Sequence, residues 1–262
     1  MTVLGQARPP FDAPDAEIFQ TPCLAEFDLF GISLCVNRWV IYLFAAALIV
    51  ILLFVLAVRQ TGLIPRGARN MVEGIVEFVR EQIAIQVIGQ DGLRWVPLLT
   101  AMFTFILVGN LFGIIPGIQF PVNSRPAVPF LLAAMVWVIF NAVGLKAQGL
   151  GYFKNVLFPP GVPLPMYILL TPIEFASVFL LRPFTLGVRL LANMMAGHLL
   201  LTVFFLGTFY MLGNPVTFAF AVPSFFLSAG LVGFEILVAV LQAYIFTILT
   251  AVYIAGALHP EH

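Results

Sequence analysis

The chain has 262 residues, of which 61% are hydrophobic and only 9% charged, where a soluble domain carries about 25% charged residues. Twelve Lys and Arg balance twelve Asp and Glu, so neither a basic surface for nucleic acid nor an acidic one is indicated. This composition excludes a soluble domain and demands a bilayer, and several apolar runs near 20 residues make the spans helices, since a barrel reads as short alternating strands.

In chain order, residues 1–37 are polar, Pro-rich and acidic (Asp12, Asp15, Glu17, Glu26, Asp28) and read as a solvent-facing extracytoplasmic tail or cap. Cys23 and Cys35 fall there at a spacing that fits neither a zinc site nor a redox motif. A disulfide and two separate thiols both stay open, the former only if this end lies outside the cell. No secretory signal is expected, because the first apolar run starts near Trp39. A bacterial plasma (inner) membrane is the simplest address. The membrane domain, 38–262, opens with a transmembrane helix over 38–59. Arg59, Arg66 and Arg69 follow it, which puts the N-terminus outside and the next loop in the cytoplasm.

Over 67–90, Met71, Ile75, Phe78, Val79 and Ile83 share one helical face while Glu73, Glu77, Arg80 and Glu81 occupy the others, predicting an amphipathic helix at the cytoplasmic surface. Transmembrane helices are expected over 95–116 and 128–146, joined by an outside loop punctuated by Pro116, Pro121 and Pro126. Gly109 and Gly113 have the spacing for close helix approach, and Asn110 and Asn141 read as interhelical hydrogen bonds. Lys146 and Lys154 mark the return to the cytoplasm. After a Pro- and Gly-rich loop over 149–165 come two apolar stretches, 168–212 and 218–258. Each exceeds the roughly 20 residues of a perpendicular span. With Gly213, Asn214 and Pro215 between them, they predict a hairpin of two long tilted helices, near-horizontal in the membrane, whose end carries the C-terminus to the cytoplasm. The expected class is thus an all-α polytopic membrane protein with about five transmembrane helices plus one amphipathic cytoplasmic-surface helix. His259 and His262 read as ordinary tail residues.

Within those last two stretches lie Glu174, Arg182, Arg189, Asn193, His198, Glu235, Gln242 and Tyr253. Ionisable groups in a bilayer are costly, roughly 3 kcal/mol for an arginine on insertion scales, and they mark ion paths. Arg189 has no acid three or four residues away on either side, so its partner lies elsewhere, or it snorkels or fills a structural pair. It keeps its proton, so it is a fixed charge that favours the ionised form of any carboxylate brought near. Asn193 shares its helical face, whereas His198, nine residues on, points the other way. His198 and Glu235 both gain and lose protons and suit a relay. Gln242, two turns beyond Glu235, would orient water or hydrogen-bond a guanidinium. Two structural alternatives stand beside these readings: Glu235 as the counter-charge of Arg189, and Glu174 with Arg182 as a stabilising pair. Tyr253 reads equally as an interface anchor.

The run Arg182-Pro183-Phe184-Thr185-Leu186-Gly187-Val188-Arg189-Leu190-Leu191-Ala192-Asn193-Met194-Met195-Ala196-Gly197-His198, with Leu241-Gln242-Ala243-Tyr244-Ile245-Phe246 and Leu249-Thr250-Ala251-Val252-Tyr253, resembles subunit a of the F-type (F1Fo) ATP synthase, in its Fo sector. The resemblance implies the stator half of a proton turbine, non-catalytic and without cofactor or metal. Its long hairpin would face a ring of c subunits, and its other partners would be peripheral-stalk b subunits, further Fo and F1 subunits, protons and lipid. Arg189 matches the essential arginine at the c-ring. Asn193, His198, Glu235 and Gln242 match the proton path through two offset half-channels, and Glu174 its acidic entrance. Many members read Arg-Leu-Phe-Gly-Asn where this chain has Leu191 and Ala192. Many bacterial members also carry the acid and the imidazole in the reverse places; His198 and Glu235 follow the mitochondrial-type order. A different class, a self-contained secondary transporter or ion channel with an intramembrane Arg189–Glu235 pair, would show inverted repeats and helices broken in matching halves. Neither feature is seen. A membrane enzyme lacks support, because no nucleophile stands with a base and no metal cluster is evident.

Overall fold

Arg38–Arg59, Gln90–Leu111, Ala127–Gln148, Tyr167–Leu212 and Phe218–Leu258 are long and apolar enough to cross a membrane, and they make the described part of the chain a polytopic helical protein. The computed structural model describes residues 23–29, 32–59, 67–115, 118, 120–149, 151–158, 164–213 and 217–258. The first 22 residues, Arg66, Pro116, the turn residues Asn214 and Pro215, and His259 and His262 lie outside them.

The end of the expected tail is folded. Strands β1 (Cys23–Leu29) and β2 (Ile32–Asn37) pair antiparallel, and Cys23 and Cys35 form a disulfide across them. A two-stranded hairpin is marginal in water; the cross-link and the helix that follows supply what its pairing lacks. Asn37 begins helix α1 (Arg38–Arg59), its side-chain Oδ1 accepting a hydrogen bond from the Val40 N–H at 3.1 Å. That is the N-terminal capping an Asn performs best.

Helix α2 (Ala68–Val79) continues through a π-helical stretch, Arg80–Ile88. It does not present the whole predicted apolar face to the protein. Val72, Val79, Ile83 and Ala84 are buried, whereas Met71 and Phe78 stay exposed. The difference follows from packing: α2 lies against α1 and helix α3 (Val96–Leu111), and the π-helical stretch against the last helix. Gly92 lies so close to the Ala84 carbonyl that a Cβ there would clash with backbone.

Helix α3 ends at Leu111, short of the predicted 116, and the segment after it turns inward. Phe120, Pro121, Val122, Asn123 and Ser124 are buried, so part of the expected outside loop is a wedge held against α1, α3, helix α4 (Ala127–Gln148) and helix α7 (Arg182–Leu212). Asn123, fully buried, donates to Asn110 Oδ1 at 2.6 Å, and Trp39 Nε1 donates to the Val122 carbonyl at 2.9 Å. In a bilayer, lipid competes for apolar surface as well as another helix does, so polar clamps and close packing carry much of the specificity.

A short helix, α5 (Gly151–Leu157), occupies part of the stretch expected as loop. Helix α6 (Tyr167–Ala176), the π-helical Ser177–Leu181 and α7 run on as one rod, and helix α8 (Phe218–Leu258) returns antiparallel to it. The core forms where α3, α4, α7 and α8 meet, around Leu99, Ile106, Val136, Phe140, Leu186, Leu190, Phe246 and Ile254. Phe44, Leu131, Ile168 and Phe226 point outward, two-thirds or more exposed. An apolar belt of this kind is what a lipid-facing surface requires.

Candidate functional site

Arg189 stands exposed on the outer face of α7, beside exposed Ala192, Asn193 and Ala196. The spacing of three, four and seven residues puts all four on one stripe. Two small side chains next to a long cation leave room for another helix to approach. Among the described residues no carboxylate pairs with Arg189; the ion pair found there is Arg69–Glu73, at 2.6 Å. The alternative of a structural Arg189–Glu235 pair therefore has no contact behind it in this structure.

The other candidate residues divide into two groups. Asn193 Nδ2 donates to Gln242 Oε1 at 2.6 Å, tying α7 to α8 beside the arginine. Gln242 is 1% exposed, and its own Nε2 has no hydrogen-bond partner among the described residues. Towards the turn of the hairpin, Glu235 and His198 are both buried. The Glu235 carboxylate lies against Gly197, where an added Cβ would sit 3.5 Å from Oε1. A cavity of about 230 Å³ lined by Asn193, Ala196, Gly197, Phe234 and Glu235 opens there. Glu235 Oε2 is buried without a hydrogen-bond partner among the described residues. A carboxyl group in that setting is held by nothing but the cavity, which leaves it free to exchange a proton with water that enters.

The second group lies at the opposite end of the hairpin. Glu174, Arg182 and Tyr253 line a cavity of about 350 Å³ together with Gln148, Tyr152 and Asn155. The Arg182 guanidinium sits over the Tyr253 ring, 5.4 Å from its centroid, a cation–π contact that holds the cation at the wall. Glu174 and Arg182 share the cavity without forming an ion pair. Gln148 Nε2 donates to the Ala257 carbonyl at 3.0 Å, and Asn155 Nδ2 to Gln148 Oε1 at 3.1 Å. Burial pushes the Tyr152 hydroxyl pKa up, with the positive charge of Arg182 opposing, so the phenol stays neutral and offers a hydrogen bond rather than a charge.

Gln148, Tyr152 and Asn155 were not among the sequence candidates. Their signal is faint: they flank a Gly-rich connection, Gln148 closing α4 and Tyr152 and Asn155 carried over the cavity by α5. Along α8, Glu235 and Tyr253 are 18 positions apart, roughly 27 Å at the helical rise. Arg189 lies between the two cavities in chain order on α7, seven residues after Arg182 and four before Asn193.

Comparison with known proteins identifies the family. The family described as ATP synthase A chain matches residues 40–255. ATP synthase subunit a of Frankia alni is 47% identical over 96% of this chain and 88% of its own length. The Rhodococcus erythropolis protein of the same name is 40% identical over 100% of this chain and 95% of its own, and that of Hyphomonas neptunium 39% identical over 84% and 86%. With five helices among the described residues long and apolar enough to cross a membrane, and a family match over residues 40–255, the chain belongs to the ATP synthase A chain family, as a multi-pass membrane subunit of that complex.

Proposed function

We propose that this chain is the proton-translocating, non-catalytic stator subunit of an F-type ATP synthase in a bacterial plasma membrane, with its N-terminus outside and its C-terminus in the cytoplasm. The cavity lined by Glu235 and Asn193, with His198 and Gln242 buried on the same two helices, is the half-channel open to the outside. The cavity of Glu174, Arg182 and Tyr253, beside the basic ends of α4 and α5, is the half-channel open to the cytoplasm. Arg189 stands between them and faces the carboxylates of a rotating ring of c subunits, while b subunits of the peripheral stalk hold the chain still.

The chemistry follows from the residue types. A ring carboxylate that has lost its proton is drawn to Arg189, and the guanidinium keeps it ionised as it passes. Once beyond the cation, it is an uncompensated charge in a low-dielectric surround and takes a proton from the nearer cavity. Because Arg189 cannot release its own proton, it also blocks direct passage from one cavity to the other. Proton flow then requires the ring to turn, and rotation is what the catalytic sector uses.

The observation that carries this reading is an exposed, unpaired Arg189 on a small-residue face, with two cavities, each holding a carboxylic acid (Glu235 and Glu174), at separate places along the same helix pair. ATP-driven acidification of inverted membrane vesicles tests it. Arg189→Gln is expected to lower proton pumping by roughly a hundredfold or more, the scale set by losing about 3 kcal/mol of charge stabilisation, while the complex still assembles. Pumping at the wild-type rate in that variant would sink the reading.

A further inference from the structure

A third cavity of about 650 Å³ lies where α3 begins and α4 and α8 end. It is lined by Arg94, Trp95, Ile139, Ala142, Val143, Lys146, Ala147 and Leu258, with no carboxylate among them. We propose that it is a binding site for an anionic phospholipid of the cytoplasmic leaflet, with the phosphodiester between Arg94 and Lys146 and an acyl chain along α4.

Three independent observations fit one occupant of that chemistry. First, Arg94 and Lys146 are both exposed and neither makes an ion pair among the described residues. Two such cations on one rim attract a phosphodiester at an anionic membrane surface. Secondly, Trp95 lines the cavity, and the Arg94 guanidinium sits 5.9 Å from its ring. A tryptophan at a helix end is an interfacial residue, its broad apolar ring packing at the boundary between headgroups and hydrocarbon. Thirdly, the wall is apolar in a direction that matches an acyl chain. Ile139, Ala142, Val143 and Lys146 form one α4 stripe at helical spacing, and exposed Val138, Met135 and Leu131 continue it away from the cations. A soluble anion would meet the two charges but leave this track bare. The depth also agrees, because the cavity lies at the end of the bundle that carries Arg59, Lys146 and Lys154, the side that positive charge assigns to the cytoplasm.

The test uses the assembled ATP synthase in nanodiscs, labelled with photoactivatable phosphatidylglycerol or with the same probe built on phosphatidylcholine. Cross-links are mapped by mass spectrometry. The phosphatidylglycerol probe is expected to mark peptides containing Trp95 and residues 139–147, and the zwitterionic probe to mark them several-fold less. Replacing both cations, Arg94→Ala with Lys146→Ala, is expected to lower the anionic label roughly tenfold, and Arg94→Lys with Lys146→Arg to restore it. Equal labelling by the two probes in the wild-type complex overturns the proposal, and that comparison needs no variant to fold. Labelling that survives the double alanine change overturns it too, as does a cross-link showing that another subunit fills the cavity.

Discussion

Glu235 and Asn123 are both buried polar side chains, yet they are built for opposite purposes. Asn123 donates its Nδ2 to Asn110 and is packed against Gly109, where an added Cβ would lie 3.1 Å from that Nδ2. It lines none of the three cavities, although its Oδ1, like Glu235 Oε2, has no partner among the described residues. Asn123→Ala removes the donor and leaves Asn110 Oδ1 unpaired. The change is expected to destabilise the subunit by about 1–2 kcal/mol, above the bilayer average of about 0.6 because both partners are shielded from water and lipid. A lowered midpoint in thermal aggregation of the purified complex, at unchanged proton pumping per assembled complex, checks it. Glu235 has a carboxylate oxygen with no fixed partner and a cavity beside it. Glu235→Gln keeps the shape and removes the exchangeable proton, so pumping is expected to fall about a hundredfold, the usual worth of a positioned acid or base. Stability should barely change, and a loss of assembly instead would make Glu235 structural. Arg189, Glu235 and Gln242 announce themselves in sequence because a charge or amide inside an apolar run has few excuses. Gln148 and Asn155 do not, since polar residues next to a Gly-rich connection are what any loop contains.

At the scale of elements, the helices were legible and the irregularities were not. Length and hydropathy are enough to place five spans and a long hairpin, because a bilayer forces every backbone group into a helix. The π-helical Ser177–Leu181 leaves no such mark; it depends on tertiary packing, and it resets the angle between Glu174 on α6 and Arg189 on α7. The short helix α5 was hidden by its flanking glycines and prolines. It is held by Tyr152, whose ring lies directly against Gly144 of α4 and leaves no room for a Cβ. Gly144→Ala is therefore expected to displace Tyr152 and with it the wall of the Glu174 cavity. Proton pumping should fall several-fold, and Tyr152→Ala in the same chain should recover part of it. No recovery would mean that the cavity wall does not depend on this contact.

For the whole molecule, the disulfide hairpin gives the topology a direct readout. With the N-terminus outside, Cys23 and Cys35 in intact cells or spheroplasts should label with a membrane-impermeant maleimide only after an impermeant reductant has been added. Labelling only after the membrane is broken would invert the assignment. The sequence reader sees two cysteines with an undecided relation; the pairing appears only once β1 and β2 bring them together. The length of α8 has a further consequence. Its 41 residues measure roughly 61 Å, about twice the hydrocarbon thickness, so the helix leans steeply or projects beyond the membrane. A leaning helix travels sideways as it descends, and points 18 residues apart on it then differ in azimuth around any rotor beside it as well as in depth. On the proposed reading, the separation of Glu235 from Tyr253 would be a stroke length, fixed by the chain and paced by the spacing of the rotor's own helices.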